Sequence, residues 1–142
     1  MSIKSIKKGA ILVAKPTLSN DIFQRSVILI TEHVESGSVG FILNRTSYLP
    51  VSIFVSEIEN GSIVHEGGPV DKDNIYYIHK RPDLVRNSEW ITEDIYWSGI
   101  YEDVREAVNN GSIKDDEIKF FIGYCGWSPK QILNELKENS DA

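Results

Sequence analysis

A single cysteine among 142 residues leaves no intrachain disulfide to hold this chain together, and that is the usage expected of a reducing cytosol. Long apolar runs are also missing: Val27-Ile28-Leu29-Ile30 is far short of the roughly 18–20 residues that cross a bilayer as a helix. Lys4, Lys7 and Lys8 precede only the brief stretch Ala10 to Ala14, too short for a secretory h-region. Basic residues are scarce as well. Lys and Arg number 15 against 21 Asp and Glu, a formal charge of −6, and no basic stripe lies on any expected helix, which opposes direct nucleic-acid contact. Repeats, low-complexity tracts and Pro/Gly/Ser linkers are absent, so residues 1–142 read as one domain. What is present is ordinary globular composition: 41% hydrophobic and 25% charged residues, enough to build a core without a metal.

Apolar runs at Ile11 to Ala14, Ser26 to His33 and Val39 to Leu43 predict strands, the first short and buried, the second central. Glu35-Ser36-Gly37 joins the latter two as an antiparallel hairpin, and Gly40 leaves room for another backbone beside it. Tyr48 to Glu59 is ambiguous: Ile53, Phe54 and Ile58 fit a short helix with Ser52 as its N-cap, which Asn60-Gly61 would end. Strands are expected at Ser62 to Glu66 and Asn74 to His79, flanking Gly67-Gly68-Pro69, with a further extended segment at Trp90 to Trp97. Ile100 to Asn110 has helical spacing, acidic residues in its first turn and Gly111 beyond its end. Glu117 to Tyr124 alternates as a strand with apolar residues on both faces. Ser128-Pro129-Lys130-Gln131 starts a last helix with a hydroxyl at N-cap, Pro at N1 and Gln at N3. Strands outnumber helices without strict alternation, so the class is α+β with a mixed, mostly antiparallel sheet.

Two chemistries compete for the segment around Cys125. A helix N-terminus at Ser128 favours a bound anion through free backbone N–H groups, and it would also lower the pKa of a nearby thiol. The nucleophile-elbow pattern fails, because Gly126 follows Cys125 directly and Trp127 stands where its second glycine belongs. His33, His65 and His79 lack metal-ligand spacing, and Gly67-Gly68-Pro69 lacks the phosphate-loop tail, so neither a metal nor a cofactor is expected. Arg25, Glu32, His33, Asn44 and Arg45 fall at strand ends. The hairpin would bring Arg25 near Asn44 and leave Glu32 and His33 at the opposite turn, making two clusters. Trp90, Trp97 and Trp127, with Tyr96 and Tyr124, either line a pocket or pack in the core.

Taken together, several motifs resemble the AlgH (YqgE) family of bacterial proteins. They are Gly9, Ile11 to Ala14 and Pro16; Phe23, Arg25 and Ser26 with the strand after them; Glu32-His33; Gly37 to Arg45; Gly67-Gly68-Pro69-Val70; and Gly123-Tyr124, Gly126-Trp127, Pro129, Gln131, Glu135 and Leu136. Tyr96-Trp97 and Asn139-Ser140 look most like members from the Bacteroidetes group. The resemblance implies a cytosolic α+β domain, and a link to transcriptional control of exopolysaccharide synthesis that need not involve DNA contact. It carries over Arg25, Glu32, His33, Asn44, Arg45, Gly67, Gly68, Gly126, Trp127 and Gln131 as motif residues. Thr46 departs from the family's common Pro, and Cys125 stands where members usually have a smaller residue. Members also commonly continue for several tens of residues beyond the last helix. The expectation is a non-catalytic binding or regulatory domain for a small anionic ligand or a protein partner near Gly126, Ser128 and Gln131, with self-association open. The alternative is a redox or hydrolytic enzyme using Cys125.

Overall fold

The computed structural model describes residues 7–13, 26–59 and 61–129. They form nine strands and one α-helix: β1 Ile11–Val13, β2 Val27–Val34, β3 Gly37–Ile42, β4 Thr46–Pro50, β5 Ile63–Glu66, β6 Val70–His79, β7 Glu89–Thr92, β8 Ile95–Trp97, α1 Tyr101–Asn109 and β9 Ile118–Trp127. The main path is β1-β2-β3-β9-β6-β8-β7, with β4 and β5 branching from it. Every pairing is antiparallel except that of β5 with β9. The α+β class with a mixed, mostly antiparallel sheet therefore holds.

Strand β9 is the hub. Its residues from Ile118 to Tyr124 pair with β6, while on its other edge Phe121 and Ile122 pair with β5 and Cys125 to Trp127 pair with β3. The change of partner follows Gly123, whose φ of +70° a side chain would disfavour. Gly67 and Gly68 fill the gap this opens. The Gly67 N–H donates to the Ile122 carbonyl (2.9 Å), and its own carbonyl accepts from the Ile42 N–H (2.9 Å), so one peptide ties β3 to β9. A Cβ on Gly68 would sit 2.2 Å from the Tyr124 carbonyl carbon, and one on Gly123 would sit 2.3 Å from the Gly68 oxygen.

Alternation along β9 feeds two cores. Ile118 and Phe120 join Val104, Ala107 and Val108 of α1, whereas Phe121 joins Leu29 and Phe41 from β2 and β3 with Ile78 and Ile91 from β6 and β7. Each such buried side chain contributes about 1.5–3 kcal/mol over its exposed state. Helix α1 begins after Ile100 with Glu102 and Asp103 in its first turn, a favourable placement at the positive end of the dipole. The Asp103 carboxylate accepts from the Arg86 backbone N–H and guanidinium, pinning that turn to the preceding loop.

Three expectations are corrected. Among the described residues the first strand is an edge, paired only with β2, and its Ile11 and Val13 are 52% and 60% exposed rather than buried. The helix expected over Tyr48 to Glu59 is instead the end of β4 and one 3-10 turn, Val51–Ile53, with Pro50 and not Ser52 at its start. Pairing of Thr46 with His65 and of Pro50 with Ile63 outweighs the local helical pattern, and the β-branched Val51, Ile53 and Val55 favour it little. The strand read as ending at Tyr124 runs on to Trp127, because Gly40 leaves the Trp127 ring room 3.2 Å from where a Cβ would stand. The rest of the hairpin, α1 and the paired extended segments at Trp90 to Trp97 agree with the sequence reading. The helix expected from Ser128 lies outside the described residues beyond Pro129.

Replacing Gly68 with Ala forces the Tyr124 backbone aside and is expected to destabilise the protein by about 2 kcal/mol or more, whereas Gly61→Ala, with open space around it, stays within about 0.5 kcal/mol of wild type. Urea unfolding midpoints of the two variants measure the difference.

Candidate functional site

Where the part of the sheet carrying β2 and β3 packs against the part carrying β5, β6 and β8, a cavity of about 680 Å³ opens, within the size range of small-molecule sites. Its wall is largely apolar, with Leu29, Leu43, Ile63, Ile78 and Ile95 among the lining residues, and Ser62, Asp115, Asp116 and Glu117 add polar groups. Four basic side chains line it: His65, His79, Lys80 and Lys119. On β9, Lys119 shares the face of Phe121 that looks toward the other sheet, and on β5, His65 lies beside Phe121 in the parallel register. Its ring stands 5.8 Å from that of Phe121.

Lys119 is half-buried, and its Nζ donates to the Leu43 carbonyl at 2.9 Å. Among the described residues no carboxylate lies within ion-pair distance of it, for Glu117 is engaged by Arg81 at 3.3 Å and by the Lys114 N–H at 2.9 Å. Burial pulls the Lys119 pKa below its ordinary value. An ammonium facing an apolar wall with one neutral acceptor is an attractive counterpart for a ligand anion, since its desolvation is already met in the free protein.

The Nδ1 of His65 is shielded from solvent with no hydrogen-bond partner among the described residues. Burial first, then the Lys119 charge, holds the His65 pKa below 6.5, so the ring is neutral near pH 7. His79 provides the contrast. It is buried, yet its Nδ1 accepts from the Arg81 N–H at 3.1 Å and its Nε2 faces the Ser98 carbonyl at 3.2 Å and the Ser88 hydroxyl at 3.1 Å. It is a satisfied core histidine.

The residues chosen from sequence do not converge. Asn44 accepts from the Val27 N–H at 2.9 Å and so ties off the start of β2, while Glu32 and His33 sit at the far end of the hairpin, where the His33 ring meets the Ser38 hydroxyl at 2.6 Å. Glu32 and His33 line a separate cleft with Trp90 and Trp97, and Arg45 and Gly68 line a recess of about 100 Å³. Gly67 serves the strand crossing, Trp127 is buried, and Gly126 and Ser128 are exposed. Cys125 is 2% exposed, with its Sγ 3.4 Å from the Gly67 carbonyl. Arg25 and Gln131 lie outside the described residues. Among the described residues, none of the chosen ones lines the large cavity. A signal for Lys119 was present in the sequence all the same: it shares a strand face with Phe121, so that face is not simply solvated.

Comparison with known proteins bears on the whole chain. Residues 11–140 match the model of the DUF179, AlgH-like, family. Among curated relatives, a UPF0301 protein of Chlorobium chlorochromatii is 37% identical over 142 residues, covering 96% of this chain and 73% of the relative. A UPF0301 protein of Parabacteroides distasonis is 38% identical over 136 residues, covering 94% and 69%. Two solved structures share the fold: DIP2367 from Corynebacterium diphtheriae, with a TM-score of 0.78, 23% identity and coverage of 96% and 74%, and AlgH from Pseudomonas aeruginosa, with 0.75, 24%, 98% and 77%.

With both His65 and His79 depressed below 6.5, the unfolded chain binds protons that the folded one refuses. Stability is therefore full above pH 6.5 and falls as pH drops through the folded-state values. Urea midpoints should decline from pH 6.5 to about 5, with a shallower decline in His65→Phe. Lys119→Met removes one of the two causes lowering His65, and an NMR titration of that ring should move to higher pH.

Proposed function

The chain belongs to the AlgH-like family, and from that premise we propose that it is a non-catalytic binding domain whose inter-sheet cavity takes a small ligand with an apolar body and an anionic head. The observation that carries this reading is Lys119, a half-buried ammonium on the wall of this cavity whose one hydrogen bond among the described residues goes to a carbonyl. A carboxylate or similar head would complete that charge, and the Leu43, Ile63 and Ile95 side chains would hold an alkyl or aryl body. His65 adds selectivity. Its shielded Nδ1 has no hydrogen-bond partner among the described residues, so a ligand carrying a hydrogen-bonding group near its head suits the pair better than a plain acid.

This keeps the small anionic ligand expected from sequence and moves it from the Ser128 helix start to the cavity. A regulatory output, including the indirect transcriptional one that the family resemblance implies, would then follow occupancy of the cavity. A net charge of −6 agrees with an output that does not pass through DNA.

Octanoate, with octanol as its uncharged analogue, tests the reading by NMR shift mapping. Octanoate should move the resonances of Leu43, Ile63 and Lys119, octanol should bind more weakly, and Lys119→Met should weaken octanoate by about ten- to a hundredfold. Shifts confined to Gly126, Trp127 and Ser128 would return the ligand to the helix start. Equal affinity for Lys119→Met would remove the charge argument altogether.

A further inference from the structure

We propose that the cleft between the far end of β2 and the β7–β8 hairpin binds the ammonium head of an organic cation. This site is independent of the large cavity. The cleft encloses about 440 Å³ and is lined by Lys8, Glu32, His33, Glu89, Trp90 and Trp97, with Thr31 and Val34. Trp90 is 49% exposed, unusual for so large an apolar ring, and its indole N–H donates to the Glu93 carbonyl at 2.9 Å, which presets the orientation of its face. Ring faces carry negative electrostatic potential and attract cations.

An ammonium already stands there. The Lys8 Nζ lies 5.0 Å from the centre of the Trp90 ring. The turn that carries it is anchored by the Gly9 N–H to the Ile30 carbonyl at 2.7 Å, and Gly9, at a φ of +92°, packs so closely that a Cβ would meet Thr92 at 2.8 Å. The chain thus supplies its own cation to the aromatic face. Lys8 does not neutralise the cleft, because Glu32 and Glu89 both line it and neither has an ion-pair partner among the described residues. Two carboxylates against one ammonium leave a surplus negative charge beside two indole rings.

That combination selects an organic cation over a metal ion. Hard cations need several oxygen ligands, and no group of three or more acidic, His or Cys side chains suited to a metal occurs among the described residues. An alkylammonium instead lays its methyl or methylene groups on the indoles and turns its charge toward Glu32 and Glu89. Lys8 is the internal competitor that such a head displaces.

The probe is choline, read on the indole N–H resonances of Trp90 and Trp97, with 3,3-dimethylbutanol as its neutral isostere. Choline should shift both resonances and the alcohol should not. Lys8→Ala should tighten choline by about two- to fivefold, Glu89→Gln should loosen it, and Trp90→Ala should abolish the response of Trp97. A short lysine-containing peptide forms a second arm: tighter binding than choline assigns the head to a partner's side chain, weaker binding to a small molecule. The proposal is overturned if neither indole responds in wild type or Lys8→Ala, if the alcohol matches choline, or if Lys8→Ala binds no more tightly than wild type. An otherwise unchanged amide spectrum verifies that each variant is folded.

Discussion

Where Gly67-Gly68 crosses Gly123-Tyr124, backbone meets backbone with no space for a side chain, and the remaining architecture hangs on that contact. A strand pairs along two edges, and β9 would ordinarily keep one neighbour on each. The positive φ at Gly123 lets it change partner on one edge from β5 to β3, and the Gly67 peptide closes the gap by bonding Ile42 on one side and Ile122 on the other. Two parts of one sheet therefore share a strand, and the space enclosed between them is both a core and, where that core stops, the cavity.

Sharing a strand also explains why charged residues face inward. Along β9 the face opposite α1 is filled by Phe121 in the middle of the inter-sheet cluster, but one alternate position earlier it presents Lys119. At that depth the ammonium is only half desolvated, and the Leu43 carbonyl offsets part of the loss. His65, in register with Phe121, meets a similar environment and stays neutral. The end of the inter-sheet core is thus the place where basic groups can persist without carboxylate partners.

Much of the chain's local structure was legible. The β2–β3 hairpin, α1 with its acidic first turn, and the room left at Gly40 follow from side-chain pattern and glycine alone, because each depends on neighbours close in sequence or on a missing Cβ. Tyr48 to Glu59 misled for the opposite reason. Its spacing is compatible with a turn of helix, but Thr46 and Pro50 find partners in β5 that local pattern cannot reveal. The first strand is apolar enough to be buried, yet topology puts it at an edge.

Sequence by itself determined the class and the net charge of −6 that disfavours nucleic acid, since periodicity and composition carry those directly, and its motif residues carried the AlgH-like resemblance. It also nominated polar residues at strand ends, and there the inference reached its limit. Strand ends are polar whether they bind or merely tie off hydrogen bonds, as Asn44 does. Only the tertiary structure decided that His65 and Lys119, separated by more than fifty residues, flank one cavity while Glu32 and His33 join Trp90 and Trp97 in another. Whether a basic side chain is a solvated surface group or an unpartnered interior one depends on which strand lies beside it, and that is settled by the glycine crossing far along the chain.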